Sequence, residues 1–130
     1  MASIRREISI AVPQEQVWSA ARDVGALHTR LVPGFVVATQ LEPGARIVTF
    51  ANGRVVRELI VDVDDGMRRV AWSAVGTDMT HHNASLQVFP ENGGTRAVWV
   101  ADLLPNELAQ GISVLIEQGL AVMKRAMEGG

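Results

Sequence analysis

The chain has 130 residues, enough to bury the core of one domain, and its 48% hydrophobic and 20% charged residues are typical of a folded globular protein. A net charge of −2 supplies none of the positive field that attracts nucleic acids or anionic membranes. The absence of cysteine excludes disulfides, thiolate metal ligands and a cysteine nucleophile. We therefore expect a single domain, residues 1–130, with no nucleic-acid partner.

Membrane and targeting segments are not predicted. The most apolar stretch, residues 112–127, is interrupted by polar residues and glycine, so it lacks the ~18 uninterrupted apolar residues of a membrane span. Residues 1–8 contain no apolar run of the kind found in secretory signals. We therefore expect no membrane insertion and a cytoplasmic location.

The N-terminal part of the chain is predicted to form one strand and two short helical segments. Apolar and polar residues alternate over residues 4–12, which indicates a strand. Pro13 suits the start of a helix, predicted over residues 14–24 and ended by Gly25. Residues 25–34 are predicted to form a short helical turn and a loop.

Six strands with short turns are predicted over the middle of the chain. They occupy residues 35–41, 46–51, 54–63, 69–75, 80–89 and 95–103. Asn52-Gly53, the strongest two-residue hairpin signal in the chain, joins the second and third of these strands. Consecutive strands with short turns form meanders, so we predict one antiparallel sheet.

The last segment, residues 105–127, is predicted to be a long amphipathic helix. Pro105 and Glu107 suit its first turn, and Lys124 and Arg125 suit its last turn, where positive charge interacts favourably with the helix dipole. The helix has a wide apolar stripe with spacings of three and four residues: Leu108, Ile112, Leu115, Ile116, Leu120, Met123 and Met127. A helix of this length spans roughly 35 Å and can cover one face of the sheet.

The register of the hairpins predicts which side chains face this helix. A two-residue loop at Asn52-Gly53 would place Arg57 opposite Val48, and directly opposed residues share a face. The inner face would then be mostly apolar: Val48, Phe50, Val55, Arg57, Leu59, Val61, Val63, Val70, Trp72, His82, Ala84, Leu86, Val88, Ala97, Trp99, Ala101 and Leu103. The outer face would be solvated: Thr49, Glu58, Asp62, Arg69, Ser73, Ser85, Gln87 and Arg96. The apolar Ile60, Val98 and Val100 fall on the outer face and do not fit this pattern.

Three segments, beside the opening strand, carry a family resemblance: Val12-Pro13-Gln14-Glu15-Gln16-Val17-Trp18, Gly94-Thr95-Arg96-Ala97-Val98-Trp99 and Asp102-Leu103-Leu104-Pro105. With this order of elements, nearly the whole chain resembles the START/Bet v 1-like (SRPBCC) superfamily, within its polyketide cyclase/dehydrase branch. The resemblance implies an α+β helix-grip fold, in which a seven-stranded antiparallel sheet wraps around the C-terminal helix and encloses a cavity. Two short helices follow the first strand.

The resemblance also sets expectations for function. Members bind lipids, hormones, polyketides or aromatic intermediates, and a minority are cyclases, dehydratases or hydrolytic enzymes. They share no universal catalytic residue, so no catalytic role is transferred to this chain. We expect a small apolar or aromatic ligand, no cofactor, no metal, and a monomer or homodimer.

Two polar residues are candidates for the chemistry of the cavity. His82 is predicted to face inward, as a general acid or base or as a polar anchor; the alternative is a hydrogen-bonded core histidine. His81 would point to the opposite face of the strand, so the two histidines cannot jointly chelate a metal. Arg57 would anchor a carboxylate, phenolate or enolate of the ligand; the alternatives are an acidic partner or an error in the register.

The cavity walls are predicted to be aromatic and aliphatic, because flat apolar side chains suit a flat apolar ligand. The candidates are Trp18, Phe35, Phe50, Trp72 and Trp99, with Ile112, Leu115, Ile116 and Gly119 from the terminal helix. The alternative is an ordinary core. Gly111 and Gly119 each cost about 1 kcal/mol in a helix relative to alanine, which indicates close packing, space for a ligand, or tolerated surface positions.

Three functions stay open from the sequence. The first is a carrier or binding protein for a small hydrophobic or aromatic molecule. The second is a polyketide cyclase or dehydratase in which His82 or Arg57 handles a proton or an enolate. The third is an interaction module whose cavity is vestigial and filled by side chains.

Overall fold

In a computed structural model, which describes residues 1–129, the chain forms a seven-stranded antiparallel sheet and a long C-terminal helix. The strands are β1 Ala2–Ile10, β2 Val36–Glu42, β3 Ala45–Phe50, β4 Val55–Asp64, β5 Arg69–Val75, β6 His81–Glu91 and β7 Gly94–Leu104. The helices are α1 Gln14–Ala21 and α2 Ala109–Met127, with a π-helical turn at Leu27–Leu31 and a 3₁₀ turn at Asn106–Leu108. Neither α1 nor α2 is long and apolar enough to cross a membrane.

The strand order is β1-β7-β6-β5-β4-β3-β2, so the first strand closes the meander by pairing with the last. This order confirms the predicted antiparallel sheet and helix-grip fold. The terminal helix begins at Ala109 rather than at Pro105, because Pro105 is extended (ψ 155°) and the next turn is 3₁₀. The first helix also ends earlier than predicted, at Ala21.

Helix α2 is packed by its apolar stripe onto the inner face of the sheet. Its buried residues are Ile116, Gly119, Leu120 and Met123. Ile116, Leu120 and Met123 share one hydrophobic core with the inner residues of the strands and with the buried side of α1. Burial of this continuous apolar surface is the main force that holds α2 to the sheet.

The register predicted for the β3–β4 hairpin is wrong by one residue. Phe50 and Arg54 face each other, with the Phe50 N–H donating to the Arg54 carbonyl at 2.8 Å, so the loop contains three residues, Ala51, Asn52 and Gly53. A two-residue type I′ loop needs positive φ at both loop residues, whereas here only Gly53 has it, at +89°. A turn followed by a left-handed glycine is the usual three-residue alternative.

This shift reverses which residues of the first part of β4 face α2 and which face solvent. Arg57 lies opposite Ile47 and Leu59 opposite Ala45, so Arg57 and Leu59, with the exposed Val55, lie on the outer face rather than the inner one. Glu58, predicted on the outer face, lies on the inner face opposite Arg46.

A β-bulge then restores part of the predicted pattern. The β4–β5 pairing shifts between Ile60 and Asp62, which leaves Val61 exposed rather than inward. Ile60 lies opposite Trp72 on the inner face, which explains the apolar residue that did not fit the predicted outer face. Beyond the bulge, Val63 lies opposite Val70, on the inner face as predicted.

The two glycines of α2 have different surroundings. A Cβ at Gly119 would lie 2.9 Å from Cζ3 of Trp99 and 3.3 Å from Cε2 of Phe35, so glycine is required for this close approach. A Cβ at Gly111, which is exposed, would meet nothing within 4 Å.

We predict that Gly111→Ala raises the free energy of unfolding by about 1 kcal/mol, the difference in helix propensity between the two residues. Gly119→Ala should give no gain and a net loss, because the Trp99 ring must move. Urea denaturation of both variants measures the difference. An equal gain at both positions would show that Gly119 is not a packing constraint.

Candidate functional site

A cavity of about 100 Å³ lies between α2 and the inner face of the sheet. Its apolar walls come from strands β3, β5 and β7, from the segment before β2, and from α2: Phe35, Phe50, Trp72, Trp99, Ala101, Ile112, Leu115 and Ile116. A second, inner cavity of about 60 Å³ shares Phe35, Phe50, Trp72 and Trp99 with it. These four aromatic side chains therefore stand between an outer and an inner compartment.

The aromatic walls are organised as two edge-to-face pairs. The ring centroids of Trp72 and Trp99 are 5.7 Å apart with an interplanar angle of 68°. Those of Phe35 and Phe50 are also 5.7 Å apart, at 83°. Edge-to-face packing leaves ring faces and edges available to a third ring, which suits a flat apolar guest.

The mouth of the outer cavity is formed by the β3–β4 and β5–β6 loops and the start of α2. It continues into a surface depression of about 190 Å³ that shares Arg54, Thr77, Met79, Ile112 and Leu115 with the cavity. Arg54 and Asp78 place one positive and one negative side chain at this entrance.

A buried ion pair connects the two compartments. Arg46 and Glu58, 3% and 7% exposed, face each other across β3 and β4, and Nε of Arg46 donates to Oε1 of Glu58 at 2.8 Å. Arg46 Nη1 also donates to the Val24 carbonyl at 3.3 Å, and the guanidinium carbon lies 5.4 Å from the centroid of the Trp72 ring. Glu58 lines both cavities, and Arg46 lines the inner one.

Burial is the largest influence on the charge of Glu58. Loss of water raises the pKa of the Glu58 carboxyl above its usual value, and the charge and the hydrogen bond of Arg46 offset part of this rise. A buried charge is tolerated only when it is paired and hydrogen-bonded, as both members of this pair are. The pair therefore gives the cavity a polar wall with no net charge.

Sequence reasoning missed this pair because of the register error. Arg46 and Val48 are two residues apart on β3, so they lie on the same face of the sheet. An arginine on the inner face needs a carboxylate partner, and this could have been inferred from the sequence. Because the predicted register of β4 was wrong by one residue, Glu58 was placed on the outer face and not recognised as that partner.

His82 lines the outer cavity, as its predicted inward orientation requires. The backbone N–H of Ala74 donates to Nδ1 of His82 at 2.9 Å, so Nδ1 is the unprotonated nitrogen and Nε2 carries the proton of the neutral ring. Burial, and secondarily the neighbouring His81, lower the pKa of His82. At neutral pH the side chain is therefore a neutral hydrogen-bond donor through Nε2.

We predict that His82 makes the protein less stable in mild acid. The pKa of His82 in the folded protein lies below 6.5, its value in the unfolded chain. The unfolded chain therefore binds the proton more readily, and the protein loses stability as the pH falls below this value. The free energy of unfolding should fall between about pH 7.5 and pH 5.5, and His82→Gln should flatten this dependence. The raised pKa of Glu58 changes stability with pH in the opposite direction, so the difference between wild type and the His82 variant is the quantity to measure. Parallel pH profiles would refute the assignment.

The other predicted site residues are placed as follows. Most line the outer cavity: Phe35, Phe50, Trp72, His82, Trp99, Ile112, Leu115 and Ile116. Gly119 lies against the rings of Trp99 and Phe35. Their roles toward a ligand stay predictions.

Two predicted site residues lie elsewhere. Trp18 is buried in the core near the β4–β5 loop, where its Nε1 donates to Oδ1 of Asp65 at 2.9 Å, and Arg22 bonds the same carboxylate at 2.8 Å. The prediction that Arg57 faces the cavity is wrong: it is exposed on the outer face and pairs with Glu42 at 3.2 Å. The one-residue shift of β4 is the reason, and it removes Arg57 as a ligand anchor or catalytic residue.

Solved structures share this fold over almost the whole chain. The protein XoxI from Bacillus cereus has a TM-score of 0.86 at 18% identity, with 99% of this chain and 97% of that chain covered. Ara h 8.0201 has a TM-score of 0.76 at 14% identity, with 99% of each chain covered. The di-domain ARO/CYC BexL from the BE-7585A biosynthetic pathway has a TM-score of 0.84 at 14% identity, covering 98% of this chain and 47% of that one.

At these identities the structural matches show the fold alone, and no curated protein sequence matches the chain. The family assignment comes from the sequence itself. Residues 1–129 match the family described as polyketide cyclase / dehydrase and lipid transport. The chain belongs to this family, and its helix-grip fold with a cavity under the last helix is the structural counterpart of that membership.

Proposed function

We propose that this protein binds a small, mostly apolar molecule containing one aromatic or similarly flat ring. The observation that carries the proposal is the cavity between α2 and the sheet, walled by two tryptophans and two phenylalanines. A mostly apolar cleft or cavity with a few polar groups is the usual form of a small-molecule site. An interaction module with a filled interior would have no such space.

The size of the cavity limits the ligand. Its two compartments have volumes of about 100 and 60 Å³. An engineered apolar cavity of about 150 Å³ holds one benzene molecule. Neither compartment alone reaches that volume, so a single ring with short substituents fits by extending from the outer compartment into the depression at its mouth, or past the aromatic side chains into the inner compartment. A chain of several fused rings requires larger movements of side chains. This comparison favours a binding or carrier protein for a small ring over a site that folds a long poly-β-keto chain.

A cofactor-independent enzyme of the cyclase or dehydratase kind is the second candidate. Glu58 and His82 are titratable residues on the wall of one cavity, the arrangement that proton transfer to and from a bound molecule needs. Each is also held by a structural contact, Glu58 by Arg46 and His82 by the Ala74 N–H. Binding of a ligand requires neither residue to give up its structural contact, so binding is the function proposed first.

The proposal is tested by asking what the cavity holds. Native mass spectrometry of the purified protein should detect a co-purifying molecule with the mass of a one-ring compound. Incubating that molecule with fresh protein separates the candidates, because an enzyme converts it and a carrier returns it unchanged.

Calorimetric titration with para-ethylphenol gives an independent test with a matched pair of variants. Ala101 is buried in the cavity wall, so Ala101→Leu fills the space, while Ala38→Leu makes the same change on an exposed strand. We expect one site, an affinity reduced at least about 10-fold in Ala101→Leu, and no change in Ala38→Leu, because the ligand competes with the new side chain for the same volume. Equal binding by all three proteins would place the ligand outside the cavity.

A further inference from the structure

Two polar residues of different kinds, Glu58 and His82, lie on the sheet side of the outer cavity. The polar residues that line it are Asn52, Arg54, Glu58, Thr77 and His82. Asn52 and Arg54 are exposed residues of the mouth, and Thr77 belongs to the β5–β6 loop there, where its hydroxyl accepts a hydrogen bond from the Met79 N–H. Glu58 is buried and His82 is partly buried. The interior of the cavity therefore offers a ligand the carboxylate of Glu58 and the imidazole of His82.

The strand order places one of these groups on each side of Ala74. Glu58 lies directly opposite Ala74 on β5, and the N–H of Ala74 donates to the imidazole of His82 on β6. Glu58, Ala74 and His82 thus form one row across three adjacent strands, with the smallest side chain in the middle. The backbone ladder between β5 and β6 ends at Trp72 and Ala84, and beyond it the His82 ring itself reaches the backbone of β5. A ring bound over Ala74 can therefore meet one polar group on each side.

The hydrogen-bonding character of each end is also fixed. The Ala74 N–H occupies Nδ1 of His82, so the ring presents Nε2–H, a donor. Glu58 uses Oε1 for Arg46, and a carboxylate has about four acceptor sites, so it keeps acceptor capacity toward the cavity. One end of the row donates a hydrogen bond and the other accepts one.

The positive charge inside the cavity is compensated, and Arg54, which also lines the cavity, is exposed to solvent at its mouth. Arg46 is neutralised by Glu58 at 2.8 Å, and His82 is neutral because its Nδ1 accepts a hydrogen bond. Burying an ionised ligand without an opposite charge is costly. A neutral ligand is therefore favoured.

We propose that the cavity selects a neutral one-ring molecule that carries a hydrogen-bond acceptor, such as a carbonyl, at the His82 end and a hydroxyl donor at the Glu58 end. This inference rests on the proposed function, since it assumes that the cavity binds a ligand. It makes Glu58 and His82 specificity-determining residues of that site.

A series of nearly isosteric probes tests it on the unmodified protein by calorimetry. Para-hydroxyacetophenone has both groups, para-ethylphenol lacks the carbonyl, and para-methylacetophenone lacks the hydroxyl. The first should bind roughly 5- to 20-fold more tightly than either of the others, the effect of one hydrogen bond in a buried site. Para-hydroxybenzoate, which is anionic, should bind more weakly than para-hydroxyacetophenone.

Two variants assign each preference to its residue. His82→Leu should bind para-hydroxyacetophenone no more tightly than para-ethylphenol, but still more tightly than para-methylacetophenone. The double variant Arg46→Met/Glu58→Met replaces the ion pair by apolar side chains of similar size. It should bind para-hydroxyacetophenone no more tightly than para-methylacetophenone, but still more tightly than para-ethylphenol.

The outcomes separate the two levels of the proposal. Equal affinity of the three neutral probes for wild type, or tightest binding of para-hydroxybenzoate, would overturn the polar selection and leave the cavity as a binding site. No binding of any probe would overturn the proposed function and this inference with it.

Discussion

Glu58→Ala is expected to lower the free energy of unfolding by about 3–5 kcal/mol, the cost of leaving a buried charge without its partner. Arg46 is 3% exposed, and its guanidinium stands between the Glu58 carboxylate, the Val24 carbonyl and the face of Trp72. Removal of the carboxylate leaves a cation that neither water nor another anion on that wall compensates. Urea denaturation at neutral pH measures the loss.

The same sheet provides a matched control. Arg57 and Glu42 form an arginine–glutamate pair at 3.2 Å on the outer face, with side chains 47% and 39% exposed. Arg57→Ala should cost less than about 1 kcal/mol, because water solvates an exposed pair. The double variant Arg46→Met/Glu58→Met should recover most of the stability lost in Glu58→Ala, since apolar side chains of similar volume replace a buried pair with little net cost. A loss below about 1 kcal/mol for Glu58→Ala would show that the pair is not buried as described.

Ile116→Ala is the second substitution with a large expected effect. Ile116 is 2% exposed, belongs to the main core and forms part of the cavity wall. Truncation removes buried methyl groups and leaves a larger void, which together cost about 2–5 kcal/mol. The enlarged cavity should also accept a two-ring probe such as naphthalene, detected by calorimetry.

Its neighbour Leu115 is the control. Leu115 lines both the cavity and the mouth and is only partly buried, so Leu115→Ala should cost less than Ile116→Ala. If both substitutions cost less than about 1 kcal/mol, the apolar stripe of α2 does not hold the helix to the sheet.

The fold was predictable from the sequence because its signals are local. Alternation within each strand and the turn residues between strands define the meander, and the stripe of α2 defines its packing face. The resemblance carried by residues 12–18, 94–99 and 102–105 then agreed with the helix-grip fold that the structure shows.

The site was only partly predictable, because it depends on register. Asn52-Gly53 signals a hairpin, but whether the loop also includes Ala51 depends on the conformation of Asn52, which has no positive φ here. The bulge at Val61 arises from how two long strands pair and has no local signal. On strands β5 to β7 the predicted alternation of inward and outward residues holds, so Trp72, His82 and Trp99 were placed correctly, although the predicted pairing of β5 with β4 was wrong. On β4, Arg57 was predicted to face inward in place of Glu58.

The hydrogen bonds that define the chemistry of the site were beyond sequence reasoning. The contact between the Ala74 N–H and His82 Nδ1 fixes the tautomer, and it joins two strands at a position that no residue type signals. The pairing of Arg46 with Glu58 likewise depends on the exact offset between β3 and β4.

The three tryptophan indoles give the most direct test of the central claim, that the space between α2 and the sheet is a ligand site. Trp72 and Trp99 line the cavity, while Trp18 is held by Asp65 outside it, so the chain contains its own internal control. In a nitrogen–proton correlation NMR spectrum, titration with para-hydroxyacetophenone should shift the indole signals of Trp72 and Trp99 in a saturable way and leave that of Trp18 in place. Equal shifts of all three signals, or none at saturating probe, would contradict the assignment of this cavity as the binding site.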